Sequence, residues 1–332
     1  MSRAVSGGCQ LAATTAKTRM LATRREFLVG IMLAATAESR AKSPDELEEE
    51  VQAVLELGLK AKLKPFRTFE SPRFRIFGDA SDTFLKLTLG DCEAIANDFT
   101  RYYQGHGFAI SPSKQKLSVV ALSSDRAFAT FLGQPANSGL NGLYNKVTNR
   151  LVVYDFRPSG PQSPLRPGYA NLRTLAHETT HQLCFNCGLI TREGDVPLAI
   201  TEGLAMLGEV RKFDTSSLPG SVNALRVENL ATLRRSKVPW ITLKKLITED
   251  ELMRGVRGGG FLMLGYAQAW LLVYALMTDP KRRAGFKGFL DAIRPRRSPD
   301  LRLEDATEHW GDLDTFDEEL QALATKLLKS NY

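Results

Sequence analysis

His177-Glu178-Thr179-Thr180-His181 sets two imidazoles four residues apart with a carboxylate between them. On a helix this spacing puts both histidines on one face, where they can hold one zinc ion while Glu178 reaches a water at the metal. Glu202, in Ala199-Ile200-Thr201-Glu202-Gly203-Leu204-Ala205, supplies a third ligand. Two imidazoles and a carboxylate fill three positions of a tetrahedral site and leave the fourth to water, whose pKa zinc lowers to about 7. Glu178 then serves as general base and passes the proton on to a leaving amine. Hydrolysis of an amide bond is the expected chemistry. The chain has only four histidines, His106, His177, His181 and His309, so the pair does not come from a histidine-rich background. The ligand types also suit other divalent ions.

The elements that must position these groups can be read nearby. A helix is expected from about Tyr169 to Cys187, with Leu172, Leu175, Ala176, Thr179 and Leu183 as its core-facing stripe and Gly188 to stop it. After a loop over 189–196, Pro197 suits the first turn of a second helix. Two helices joined by a short loop can lie antiparallel, which returns Glu202 to the histidines. A hydrolytic site also needs a donor for the oxyanion of the tetrahedral intermediate. Tyr266, in an apolar helix after Gly258-Gly259-Gly260, is the candidate, and His309 is the second choice. A core tyrosine bonded to some backbone group is the alternative for Tyr266. Phe261 to Met277 is apolar enough to raise a membrane span, but its shortness, Gln268 and two tyrosines favour a buried core helix.

Upstream, Ser43-Pro44-Asp45-Glu46 is a capping box that starts a leading helix, Pro44 to about Leu63, within 38–65. The segment 66–157 reads as a small α/β layer. Its strands are Arg73–Phe77 and Lys116–Leu122, its helices Asp82–Tyr103 and Asp125–Leu132, and it ends in a hairpin of Gly142–Asn145 and Arg150–Tyr154. Four prolines and two glycines make 157–168 irregular, and the boundary is placed at a linker over 158–168. Residues 169–332 form a mostly helical zinc-binding part. The fold class is α+β.

At 332 residues, with 43% hydrophobic and 24% charged side chains, the chain has the composition of a globular protein. Arg24-Arg25 followed by the apolar Phe27 to Ala37, with Ala35-Thr36-Ala37 as cleavage site, reads as a twin-arginine signal peptide over 1–37. The apolar stretch is too short to span a bilayer. Translation could also begin at Met20. Removing 1–37 takes five of 44 basic residues and one of 37 acidic ones, leaving 39 against 36, so the +7 of the whole chain becomes +3. Little electrostatic claim on nucleic acid then survives, and Lys281-Arg282-Arg283 and Arg294 to Arg297 read as solvated surface or helix ends. The expectation is a bacterial protein carried by the twin-arginine export machinery to the periplasm or beyond, with no lasting membrane span. Cys92, Cys184 and Cys187 remain and allow at most one internal disulfide. Cys184-Phe185-Asn186-Cys187 lacks a second pair to complete a zinc site, so helix packing is the expected role, with Cys184 near enough to the metal face to assist there.

Thr174 to Leu183, Gly188-Leu189, Asp195-Val196-Pro197 and Thr201-Glu202-Gly203-Leu204-Ala205 together resemble a bacterial family catalogued as of unknown function and grouped with peptidase-MA-like gluzincins. Gly142-Leu143-Tyr144, Asn149-Arg150-Leu151 and Tyr266-Ala267-Gln268-Ala269-Trp270 extend the resemblance over most of the chain. It implies a zincin-like fold and a zinc metallopeptidase, with His177, His181 and Glu202 as ligands, Glu178 as base and acid, and Tyr266 as stabiliser. Members often carry tryptophan where this chain has Ala199. An extended peptide substrate would pair with an edge strand, Leu151 to Tyr154 being the candidate. The alternative is a catalytically silent, zinc-stabilised envelope protein that binds peptide or glycan.

Overall fold

The structure is a computed structural model and describes residues 44–135, 140–156, 169–210, 220–254 and 259–330. The expected signal peptide, the 158–168 linker and Gly258 lie outside them. Helix α1, Pro44–Lys60, comes first, followed by strands β1, Arg67–Glu70, and β2, Phe74–Gly78. Helix α2, Asp82–Gly105, is started by Ser81, whose hydroxyl accepts from the Phe84 N–H at 3.2 Å. Strand β3, Leu117–Leu122, is buried along its whole length. Ser124 then caps the short α3, Asp125–Phe131, in the same way as Ser81. The hairpin of β4, Gly142–Asn145, and β5, Arg150–Tyr154, lies where the sequence places it, with Asn149 at φ 55 in its turn.

The five strands form one sheet in the order β1-β2-β3-β5-β4. β2, β3 and β5 run parallel, and β1 and β4 are antiparallel at the two edges. Here the structure corrects the sequence reading: Leu151 to Tyr154 lie inside the sheet, bonded to β3 on one side and β4 on the other. The chain passes the β5 position, lays down β4, and turns back into the gap, so β4 is the outer strand on this side, packed against α4. Period-two alternation divides the sheet's side chains between two cores. Phe74, Ile76, Val119, Ala121, Leu151 and Val153 join α2 in the main core. Phe77, Val120, Leu122, Leu143 and Val152 form a second core with Val54 of α1 and Phe128 of α3.

The rest of the described residues form helices and their connections: α4, Tyr169–Asn186; α5, Leu198–Gly208; α6, Ala224–Arg235; α7, Leu243–Thr248; α8, Gly259–Thr278; α9, Pro280–Ile293; α10, Arg302–Trp310; and α11, Leu313–Lys329. The architecture is mixed α/β, mostly helical with one small sheet, as an α+β chain requires. α4 packs on α2, β4, β5 and α5, and α5 packs on α8. The expected stripe of Leu172, Leu175, Ala176, Thr179 and Leu183 is buried. Gly188, at φ 86, ends the turn after α4.

Two glycines set how closely α5 approaches its neighbours. A Cβ at Gly208 would stand 2.1 Å from the Thr180 hydroxyl on α4, and one at Gly203 would stand 2.4 Å from the Ala269 carbonyl on α8. α8 is long and apolar enough by composition to cross a membrane, but it is a core helix here, with most of its side chains buried against α5, α6 and α9. The basic clusters near the carboxyl terminus are tied down within the chain: Arg282 lies over the Phe316 ring and pairs with Glu319, and Arg296 pairs with Asp305 at 2.7 Å. Cys92, Cys184 and Cys187 are buried free thiols.

Candidate metal centre

α4 and α5 bring His177, His181 and Glu202 together, the one such group of potential metal ligands among the described residues. The two Nε2 atoms are 3.2 Å apart. Glu202 Oε2 is 3.3 Å from the His177 Nε2, and Oε1 is 3.6 Å from the His181 Nε2. A tetrahedron with metal–ligand bonds of about 2.0–2.1 Å has edges of about 3.3 Å, so these atoms already have the separations of a zinc ligand set. Glu202 Oε2 is buried and makes no hydrogen bond, although it lies within ion-pair distance of His177. A buried carboxylate oxygen without a donor is costly. A divalent cation between the three groups would satisfy it, so the residues fit the metal their types imply.

The sequence reading missed the groups behind the ligands. Glu209, just past the end of α5, accepts from the His177 Nδ1 at 2.9 Å, which leaves Nε2 turned toward His181 and Glu202. Glu209 also takes Asn223 Nδ2 at 2.9 Å and an Arg226 guanidinium N–H. Asn223 meanwhile caps α6 through its Oδ1, so the start of α6 becomes a third wall of the site. Glu209 stands seven residues after Glu202, two turns along one helix face, and that spacing was the one signal the sequence offered.

Electrostatically, burial opposes a charge on His177, but the Glu202 and Glu209 carboxylates override it and push the imidazole up to about 10. Burial likewise opposes ionisation of Glu202, yet the His181 and His177 imidazoles hold its carboxyl well below the usual range. The cluster thus holds a proton on His177 against the Glu202 and Glu209 carboxylates, a proton that a cation bound there would replace.

Glu178 points from the same helix toward the edge strand, where its Oε2 accepts from the Tyr144 backbone N–H at 2.6 Å. A Cβ on Gly142 would lie 2.7 Å from Thr174 Cγ2 and 3.1 Å from Glu178 Cγ, so β4 can run this close to α4 only with glycine there. The Tyr144 ring is nearly parallel to His181, with centroids 6.5 Å apart, and its hydroxyl donates to Asn149 Oδ1 at 2.8 Å. Asn149 exchanges amide hydrogen bonds with Asn186, and Gln182 donates to the Asn149 and Ser118 carbonyls, fastening the hairpin to α4.

Tyr266 is half-buried on α8, on the face it shares with Ala269 and Val273, where α8 meets Gly203 of α5. His309 is not in the cluster and packs against Gly285 and Gly288 of α9. Cys184 is fully buried and is not one of the grouped ligands. Ala199 is also fully buried in α5.

Residues 171–298 match the family described as protein of unknown function (DUF1570). That span holds His177, His181, Glu202, Glu178, Glu209 and Tyr266, and leaves the β4–β5 hairpin outside. No curated protein matches the chain.

Proposed function

We propose that this chain is an exported zinc-dependent metallopeptidase of the gluzincin type. The observation that carries the reading is the convergence of His177, His181 and Glu202 at ligand separations, with one Glu202 oxygen left without a hydrogen bond. Zinc held there would supply Lewis acidity and a water of near-neutral pKa. Glu178, next to His177 in sequence and aimed at the edge strand, would be the group that accepts a proton from the attacking water and hands it to the leaving amine. Glu209 fixes the His177 ring so that Nε2 faces the ligand group. An extended peptide is proposed to lie along the β4 edge beside the Tyr144 N–H that Glu178 holds, and Tyr266, on the α8 face that meets α5, is the proposed oxyanion donor. The twin-arginine reading of 1–37 makes the enzyme periplasmic or secreted.

A second reading, a zinc-stabilised envelope protein that binds peptide or glycan without cutting it, is favoured by one observation. The Tyr144 N–H gives Glu178 a structural partner, so the presence of this glutamate does not by itself require turnover. Zinc content and cleavage of a mixed peptide library separate the two. The peptidase requires about one zinc per chain, turnover reduced about 10²–10⁴-fold in Glu178→Gln with zinc retained, and zinc lost in His181→Ala. Full activity in the Gln variant would overturn the assigned mechanism, and zinc without cleavage would favour the binding protein.

A further inference from the structure

The Glu178 side chain takes its position from the hairpin as much as from its own helix. Its Oε2 accepts from the Tyr144 N–H at 2.6 Å, and its Cγ lies against Gly142, where an added Cβ would stand 3.1 Å away. A shift of β4 relative to α4 therefore moves the carboxylate, so whatever fixes the hairpin on the helix also fixes Glu178.

Four and eight residues after Glu178, α4 carries Gln182 and Asn186 on the same face. Both reach Asn149, the last residue before β5. Asn149 and Asn186 pair their amides, with Nδ2 to Oδ1 distances of 2.9 and 2.8 Å, and the fully buried Gln182 donates to the Asn149 carbonyl at 3.0 Å. Asn186 also donates to the Gln182 carbonyl at 2.7 Å, which holds its amide in one orientation. The Asn149 Oδ1 accepts in addition from the Tyr144 hydroxyl at 2.8 Å. Tyr144 is thus held at both ends, its hydroxyl by Asn149 and its N–H by Glu178, with its ring nearly parallel to those of His181 and Phe185. Asn149 sits at φ 55, a conformation asparagine tolerates better than most residues, so one side chain serves both the turn and the clamp. Hydrophobic packing is non-directional and does not set the hairpin along the helix, whereas these hydrogen bonds do.

We propose that Asn149 is a positioning residue for Glu178: acting through Asn186 and Tyr144, it holds β4 at the register on α4 in which the Tyr144 N–H meets the carboxylate. Asn149 itself is outside the ligand group. The inference rests on the peptidase reading, in which Glu178 must stand where it can accept a proton from the attacking water.

The test uses the zinc-loaded full chain with Asn149→Gly, which keeps the left-handed turn and removes the amide, and with Asn186→Ala, which removes the partner from the helix side. Amide hydrogen exchange at Tyr144 should be about tenfold faster in both variants, with Val120 of β3 unchanged and zinc content equal to that of the parent. Thermal unfolding confirms that each variant is folded. Cleavage of a peptide cut by the parent should lose about tenfold in kcat with KM within about twofold, because the base is displaced while the peptide keeps its contacts. The same substitutions should add nothing to Glu178→Gln, a result that a merely structural role does not give. Unchanged Tyr144 exchange, an unaltered kcat in a chain that cuts peptide, or an equal further loss on the Glu178→Gln background would overturn the proposal. If the parent cuts no peptide while Tyr144 exchange still rises in both variants, the peptidase reading fails and the hold of Asn149 on Glu178 stands.

Discussion

α5 is held at its two ends by two buried charge clusters of very different completeness. At its start, Arg302 is clamped in a fork by Asp195, with both contacts at 2.6 Å, and also bonds Asp250 and the Ile247 carbonyl. Asp250 in turn accepts from the Leu198 N–H, the first orphan donor of α5. Further along stand Glu202 and, past its other end, Glu209, with His177 and His181 of α4 against them. The clusters are equally enclosed, with side-chain exposures of 5%, 14% and 13% for Arg302, Asp195 and Asp250 against 15%, 11% and 13% for His177, His181 and Glu202. Burial therefore does not separate them. Satisfaction does: every guanidinium nitrogen of Arg302 has an acceptor, whereas the two imidazole Nε2 atoms face each other at 3.2 Å and Glu202 reaches them only at 3.3 and 3.6 Å. The complete cluster is structural, and the incomplete one has the form of a site that a cation finishes.

The comparison can be broken most severely at Arg302. Arg302→Met leaves Asp195 buried without its counter-charge and Asp250 with only Arg254 at 3.7 Å, and should cost about 3–5 kcal/mol of unfolding free energy in a denaturant titration. A loss under about 1 kcal/mol would mean the clamp is not structural. At the other cluster, zinc at about a thousandfold excess over its Kd should stabilise the folded chain by about 4 kcal/mol. Glu202→Gln should abolish that gain, and a gain of equal size in the variant would remove Glu202 from the ligand set. Glu209→Gln should weaken zinc binding about 10–100-fold in a competition with a chelator, because the His177 ring loses its ionised anchor.

The smallest effect is one of pH. His177 has a folded pKa raised from 6.5 to about 10, so the stability it contributes to the metal-free chain is complete below about 6.5 and is lost as pH rises through 10. Thermal unfolding of metal-free protein should thus fall between pH 7 and 10. The zinc-loaded chain, which has already given up that proton, should not follow, and parallel curves for the two forms would contradict the assignment.

The meeting of His177, His181 and Glu202 was legible because an i, i+4 pair on a helix and a following helix leave few geometric alternatives. Glu209 was harder to see, because a helix-terminal glutamate is ordinary until a histidine Nδ1 is found against it. Asn223 and Arg226 were beyond reach, since their place depends on how α6 docks rather than on any local spacing. In the sheet, alternation and turn residues marked β2, β3, β4 and β5, whereas Arg67-Thr68-Phe69-Glu70 is short and mostly exposed and carries no such pattern. The edge was assigned to the wrong strand of the hairpin because local sequence fixes that two strands pair, not which of them faces the next neighbour.

The two notches in α5 bear on protein engineering. Replacing helical glycine with alanine is a standard stabilising change, since glycine in a helix interior costs about 1 kcal/mol in propensity. At Gly203 and Gly208 the same change would drive a methyl group into the Ala269 carbonyl and the Thr180 hydroxyl, and would lever Glu202 and Glu209 away from the histidines. A thermostabilisation programme guided by propensity alone would therefore choose, within this helix, the two substitutions most apt to disable the protein.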